Sequence, residues 1–233
     1  QRQSRVFLDT YIKGDGFEAN KIACTDKEII DNFKSPPLAQ VYDFNSVEEI
    51  PENYVAPESI DIVVTSPPYG DSTTTVAYGQ YSRFSAAWLG LEEPDKIDRK
   101  LMGSKPIAEI PKFPSNLLNI AIEEIRKTNK KRAHEVASFY DDLFSSIINV
   151  AKVISKNGYA CYVVGNRKVK GVVLPTDIAI QDFFKSQGFE YINTFERSIP
   201  NKRMPLKNSP TNSIGVLDST MTKEYIIIMR KIC

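Results

Sequence analysis

At 233 residues the chain has the length of one domain, or of one domain carrying a large insertion. Its 42% apolar and 25% charged composition is that of a globular protein and excludes disorder, collagen-like repeats and disulfide scaffolds. The net charge of +1 hides an asymmetry: residues 1–60 hold 6 basic and 11 acidic side chains, residues 61–150 hold 11 and 12, and residues 151–233 hold 13 and 6, so the C-terminal third alone has the charge to face a polyanion.

Apolar runs such as Tyr225–Met229 fall far short of the roughly 20 residues that span a bilayer, and no basic-then-apolar leader opens the chain. Cys24, Cys161 and Cys233 are scattered and form no Cys-x-x-Cys pair, which implies a reducing, cytoplasmic setting. The single histidine, His134, argues against His-based metal sites and Ser-His-Asp catalysis; it reads as a helix-start residue without a chemical role.

The first 35 residues are polar and carry no clear period. After Pro36-Pro37, Leu38–Tyr42 reads as a short strand ending at Asp43, and Asn45–Pro51 as a turn or short helix. Ile60–Val64 is brief, β-branched and apolar, as in a buried strand of a parallel sheet. It stops at Thr65-Ser66-Pro67-Pro68-Tyr69-Gly70, because proline cannot continue a ladder. Residues 71–113 are loop-rich and aromatic, with Tyr78, Tyr81, Phe84 and Trp88; a stretch this long suits a functional insertion. Phe84 and Trp88 read as local core. Ser115–Thr128 and Glu135–Ser155 carry the i, i+3, i+4, i+7 apolar stripe of amphipathic helices, with Asn157-Gly158 as the stop of the second. Tyr159–Val164 predicts a strand, Thr176–Ser186 a helix, and Phe189–Glu196 and Glu224–Arg230 two more strands. The order defines an α/β layered protein.

The segment Asp61-Ile-Val-Val-Thr65-Ser66-Pro67-Pro68-Tyr69 resembles the catalytic motif of amino-group DNA methyltransferases, Asp/Asn/Ser-Pro-Pro-Tyr/Phe after a buried strand. The resemblance continues through Gly158–Arg167, Phe183-Phe184, Gly188–Glu190, Glu196–Pro205 and Thr220–Met229, and so covers residues 39–231, the insertion 71–134 fitting least. It implies a Rossmann-like S-adenosylmethionine-dependent fold with a partial sheet and an inserted loop and helical region. Residues 1–38 would then be an N-terminal extension or partner-contacting segment, and 39–233 the catalytic domain, with 71–134 the candidate for target recognition.

The resemblance further implies methyl transfer from S-adenosylmethionine to the exocyclic amine of a base in double-stranded DNA, within a restriction-modification system. Such an amine is a poor nucleophile, because its lone pair is delocalised into the ring. Two acceptors on its hydrogens, Ser66 Oγ and the Pro67 carbonyl, favour the tetrahedral nitrogen that attacks; Pro67 and Pro68 hold them in place beforehand. Tyr69 would stack on the base once it has flipped out of the duplex. Serine at the first motif position leans toward N4 of cytosine over N6 of adenine. Thr65 and Ser66 are placed at the cofactor. Asp43 is either a contact to the cofactor's adenine amino group or a solvated turn carboxylate. Arg167, Lys168 and Lys170, and Arg197, Lys202 and Arg203, form two basic clusters for phosphate contacts. Lys127–Arg132 is a third basic run, equally explained by the helix dipole.

The family's glycine-rich cofactor turn and the acidic residue that takes the ribose hydroxyls have no counterpart in this sequence. The chain therefore reads as a catalytic half: one part of a split enzyme with a heteromeric partner supplying the missing motif, a fragment, or a subunit that kept the fold without catalysis. Related motifs also occur in RNA and protein-glutamine methylation. A divided sheet would expose a strand edge and apolar surface that demand covering.

Overall fold

The computed structural model describes residues 40, 42, 44–70, 78–90, 101–105, 107–198, 207–208, 218–219 and 223–232. Strand β1 (Ile60–Thr65) is followed by helices α1 (Tyr78–Trp88), α2 (Asn116–Thr128) and α3 (Lys130–Val153), and then by β2 (Ile154–Val164). A hairpin of β3 (Lys168–Val169) and β4 (Val172–Val173) leads into α4 (Thr176–Lys185) and β5 (Phe189–Ser198). The short pair β6 (Lys207–Asn208) and β7 (Asp218–Ser219) precedes the last strand, β8 (Lys223–Lys231). The main sheet has the order β1-β2-β8-β5. β1 and β2 are parallel and joined through helices, while β8 runs antiparallel between β2 and β5. This is the α/β, Rossmann-like partial sheet that the resemblance implies, and β5 with β8 is its closing hairpin.

One face of this sheet carries the core. Ala160, Tyr162, Val164, Ile227 and Met229 are buried against the apolar stripe of α3 (Val136, Phe139, Tyr140, Leu143, Ile147, Val150) and against Ala179, Ile180, Phe183 and Phe184 of α4. Phe113 joins it, with its ring 6.0 Å from Phe183 and 6.4 Å from Tyr140. Asn119 holds it there: its amide accepts from Phe113 N at 3.0 Å and donates to Phe113 O at 2.8 Å. Asn129 ends α2 and starts α3 at once, its side chain accepting from Arg132 N at 2.9 Å.

No described helix packs on the opposite face. The register aligns Ile62 with Tyr159, Val64 with Cys161 and Ile228, and Val163 with Ile226 and Phe195, all on the side away from the helices. Ile62 is 55%, Val64 64% and Phe195 54% exposed. β1 is also an edge strand, with β2 on one side and no described strand on the other.

Two expectations are corrected here. The second long helix does not run to Ser155 and stop at Asn157-Gly158; it ends at Val153 and passes directly into β2. The buried Lys231 sets that end, its Nζ donating to Ala151 O at 3.0 Å and Ile154 O at 2.8 Å and so satisfying carbonyls at the helix terminus. Asn157, at φ +67°, and Gly158 instead form an irregularity inside β2, where the β1–β2 register slips between Ile60 and Ile62. A Cβ on Gly158 would lie 2.9 Å from Ser155 O and 3.0 Å from Asp61 O, both backbone atoms. Gly158→Ala should therefore lower stability by about 1–3 kcal/mol through overpacking, read as a drop in the denaturant midpoint at unchanged m. The second correction concerns Phe84 and Trp88 of α1, which are 84% and 91% exposed rather than core. Among the described residues no helix is long and apolar enough to cross a membrane.

Candidate active site

The topology gathers the expected residues at one end of the sheet. β1, β2 and β5 all point the same way, so Thr65–Tyr69, the loop from Gly165 to Lys170, Arg197 at the end of β5 and Glu224 at the start of β8 share that end. Ligands bind at this end in open α/β sheets. Pro67 is buried, and Ser66, Pro68 and Tyr69 are half-buried.

Tyr69 is tethered. Its hydroxyl donates to Glu224 Oε1 at 2.9 Å, and Ser66 Oγ donates to Tyr69 Oη at 3.4 Å. Glu224 Oε2 in turn accepts from Arg197 Nε at 3.1 Å and Nη2 at 2.5 Å, and Arg197 and Glu224 are cross-strand partners. The chain Ser66–Tyr69–Glu224–Arg197 thus ties the motif loop to the closing hairpin. Burial first, and the Glu224 carboxylate with it, push the Tyr69 phenol up to about 12 against the lowering effects of its bond with Ser66 and of the Arg197 charge. Tyr69 is therefore a protonated donor throughout the ordinary pH range.

A cavity of about 300 Å³ opens beside the motif. Thr65, Ser66, Pro67 and Pro68 line it from the motif, Leu143 and Val150 from α3, and Phe44 and Ile50 from the segment that precedes β1. Asn149 of α3 fixes that segment by donating to the carbonyls of Ser46, Val47 and Glu48 at 3.1, 3.3 and 3.2 Å. Asp43 itself lies outside the described residues, as do Lys202 and Arg203, the side chains of Tyr78 and Tyr81, and residues 1–39.

Arg167, Lys168 and Lys170 sit on the β3–β4 hairpin just beyond the end of β2. Its two-residue turn, Lys170 at φ +50° and Gly171 at φ +82°, is the left-handed pair that tight hairpins require. Lys170 is exposed at the tip and Lys168 half-buried. Asn166 anchors the loop to the first turn of α4, donating to Asp177 Oδ1 at 2.8 Å and accepting from Asp177 N at 3.2 Å. Arg197 is turned to Glu224 instead of standing apart with the basic cluster. Along the third basic run, Lys127 pairs with Glu124 at 2.9 Å and Arg132 with Glu135 at 2.7 Å, which favours the structural reading of that run. His134 Nδ1 meets Ile107 O at 2.9 Å and packs the insertion onto α3. Among the described residues no group of His, Cys, Asp and Glu could hold a metal.

Sequence reading missed Glu224 and Asn166. The one signal for Glu224 was an acidic residue opening an otherwise apolar strand. Its partner Tyr69 is 155 positions away, and no local pattern reports that distance.

Comparison with known proteins adds a relative. The chain is 42% identical over 193 residues to the type II methyltransferase M.MvaI of Kocuria varians, an alignment covering 78% of this chain and 42% of M.MvaI. It thus spans about two fifths of the length of that relative. No family model matches the chain. Among solved structures, TTHA0409 of Thermus thermophilus, provisionally assigned as a DNA modification methylase, overlaps at 18% identity with a TM-score of 0.41, covering 84% of this chain and 55% of that one. A crystal of the same protein complexed with S-adenosyl-L-methionine overlaps at 18% identity and a TM-score of 0.38, covering 81% and 54%.

Proposed function

We propose that this chain is the catalytic part of a site-specific DNA amino-methyltransferase that uses S-adenosylmethionine and modifies N4 of cytosine in preference to N6 of adenine. The observation that carries the reading is the placement of Ser66-Pro67-Pro68-Tyr69 at the end of a parallel strand, beside a cavity and in one hydrogen-bonded chain with Glu224 and Arg197. The similarity to M.MvaI supports it. The preference for cytosine rests on serine at the first motif position.

The residues present fit one side of the methyl donor. The cavity beside the motif has the volume and largely apolar lining of small-molecule sites, with Thr65 and Ser66 as polar groups. The described residues include no glycine-rich turn and no carboxylate in that lining. When bound, S-adenosylmethionine supplies an electrophilic methyl group on a sulfonium. Ser66 Oγ and the Pro67 carbonyl accept the two amine hydrogens and aim the nitrogen lone pair. Tyr69 stacks on the flipped base, a contact of about 1–3 kcal/mol. Asp43 completes the cofactor side. Phosphate contacts come from Arg167, Lys168 and Lys170, with Lys202 and Arg203 adding charge from the segment after β5; they position the duplex without reading sequence. Arg197 serves the motif through Glu224 as well as adding to the local positive potential.

The apolar sheet face and the β1 edge, which no described residue covers, support a heteromeric arrangement, in which a second polypeptide supplies the glycine-rich cofactor motif. The test is methyl transfer from labelled S-adenosylmethionine to mixed-sequence DNA, with the modified base identified by mass spectrometry. The chain is assayed by itself and with the products of neighbouring reading frames. Activity only with a partner, yielding N4-methylcytosine, is the expected result. N6-methyladenine would reverse the base preference, and activity on RNA alone would replace DNA as the substrate. A partner complex that methylates DNA equally well with Ser66 and Tyr69 both replaced by alanine would make this chain a recognition or scaffolding subunit.

A further inference from the structure

The hydrogen-bonded chain at the motif has a direction. A carboxylate can only accept, so Tyr69 must donate its proton to Glu224. The Tyr69 oxygen is then left as an acceptor, and Ser66 gives its proton to it. With that proton committed, the Ser66 oxygen presents only lone pairs to anything on its other side. A neutral hydroxyl without this constraint is free to rotate and donate, which would turn a proton toward the nitrogen it must help to attack. Glu224 is suited to impose the direction: its side chain is 14% exposed, and Arg197, two bonds to Oε2, leaves Oε1 to Tyr69.

We propose that Glu224, held by Arg197, is a positioning residue that makes Ser66 an obligate acceptor and fixes the angle of the Tyr69 ring. This deepens the methyltransferase reading and rests on it. Glu224 touches neither base nor donor; it acts through Tyr69. The Ser66–Tyr69 contact is long at 3.4 Å, and a base against Ser66 would draw it tighter.

The test has two arms. In the first, the full chain is labelled at tyrosine Cζ and titrated by NMR, the Tyr69 signal being assigned by its loss in Tyr69→Phe. Tyr69 should titrate well above an ordinary tyrosine and move down in Glu224→Gln, because the carboxylate is one of the groups raising it. No movement in Glu224→Gln would overturn the proposal whatever the enzyme does. In the second, methyl transfer by the active complex is measured for Glu224→Ala, Tyr69→Phe and the double variant. Glu224→Ala should lower kcat by about 30-fold, below the ~10²–10³-fold of losing a directly contacting group, with KM for DNA within about threefold. In the Tyr69→Phe background the same change should add less than about twofold, because the path to Ser66 is already cut. Independent, multiplying losses would mean that Glu224 merely braces the hairpin, and would overturn the proposal. If Tyr69 shifts as expected but no complex containing this chain methylates any nucleic acid, it is the methyltransferase reading that fails, and the positioning role falls with it.

Discussion

Ser66→Ala is expected to reduce methyl transfer by about 10²–10³-fold while leaving the protein folded and DNA affinity within a few-fold. The size follows from what the hydroxyl does. In the proposed reaction it accepts a hydrogen from an amine whose lone pair is otherwise spread into the base, an interaction stronger in the transition state than in the bound ground state, so its loss should appear in kcat. The fold should tolerate the change. Ser66 is half-buried and its described side-chain bond is the long one to Tyr69. Pro67 and Pro68 keep the loop shape without it. Tyr69→Ala differs: in the proposed reaction it removes a stacking surface of about 1–3 kcal/mol, and it also unties Glu224, so its loss should divide between DNA binding and kcat. Steady-state kinetics with the assembled complex, alongside the denaturant midpoint of each variant, separate the two. Retention of full kcat by Ser66→Ala would remove the motif serine from the mechanism.

Much of this architecture is legible in the residues, for physical reasons that also mark where legibility ends. The stripe of Val136, Phe139, Tyr140, Leu143 and Ile147 announces α3, because a 3.6-residue period can bury one face only as a helix. Ile60–Thr65 announces a strand and Pro67-Pro68 its end. Asn157-Gly158 has the composition of a helix stop, yet the stop is made by Lys231, which lies 77 and 80 positions beyond the two carbonyls it satisfies, a reach that no local pattern contains. The motif tetrapeptide is likewise local and readable. Glu224 and its pairing with Arg197 are not, since the antiparallel register that sets the two opposite each other, and within reach of Tyr69, exists only after the sheet has formed. Phe84 and Trp88 mislead for a related reason: large aromatics suggest core, but α1 leaves them almost wholly in solvent.

The other large effect is expected on the apolar face that no described residue covers. Replacing Ile62 and Val64 together by lysine should weaken association with a partner polypeptide by about a hundredfold or more, because burying unpaired charges in an apolar interface costs several kcal/mol. In the isolated chain the same change should alter stability little, since both side chains are already more than half exposed. The face has the form of an interface: apolar residues from all four strands, closed at one end by the Glu190–Arg230 ion pair at 3.0 Å and at the other by Arg197–Glu224. β1, which no described strand pairs on its outer side, adds an edge to the same region, where an incoming strand would find hydrogen-bonding groups as well as apolar contact. Co-expression with the products of neighbouring reading frames, and with the portion of M.MvaI outside the aligned 193 residues, provides the partners to assay. Sedimentation should show a complex with the native chain that the double variant cannot form. Amide exchange should slow along β1 on association. A double variant that assembles and methylates like the native chain would place the partner elsewhere, and would leave this apolar face without a role in the proposed assembly.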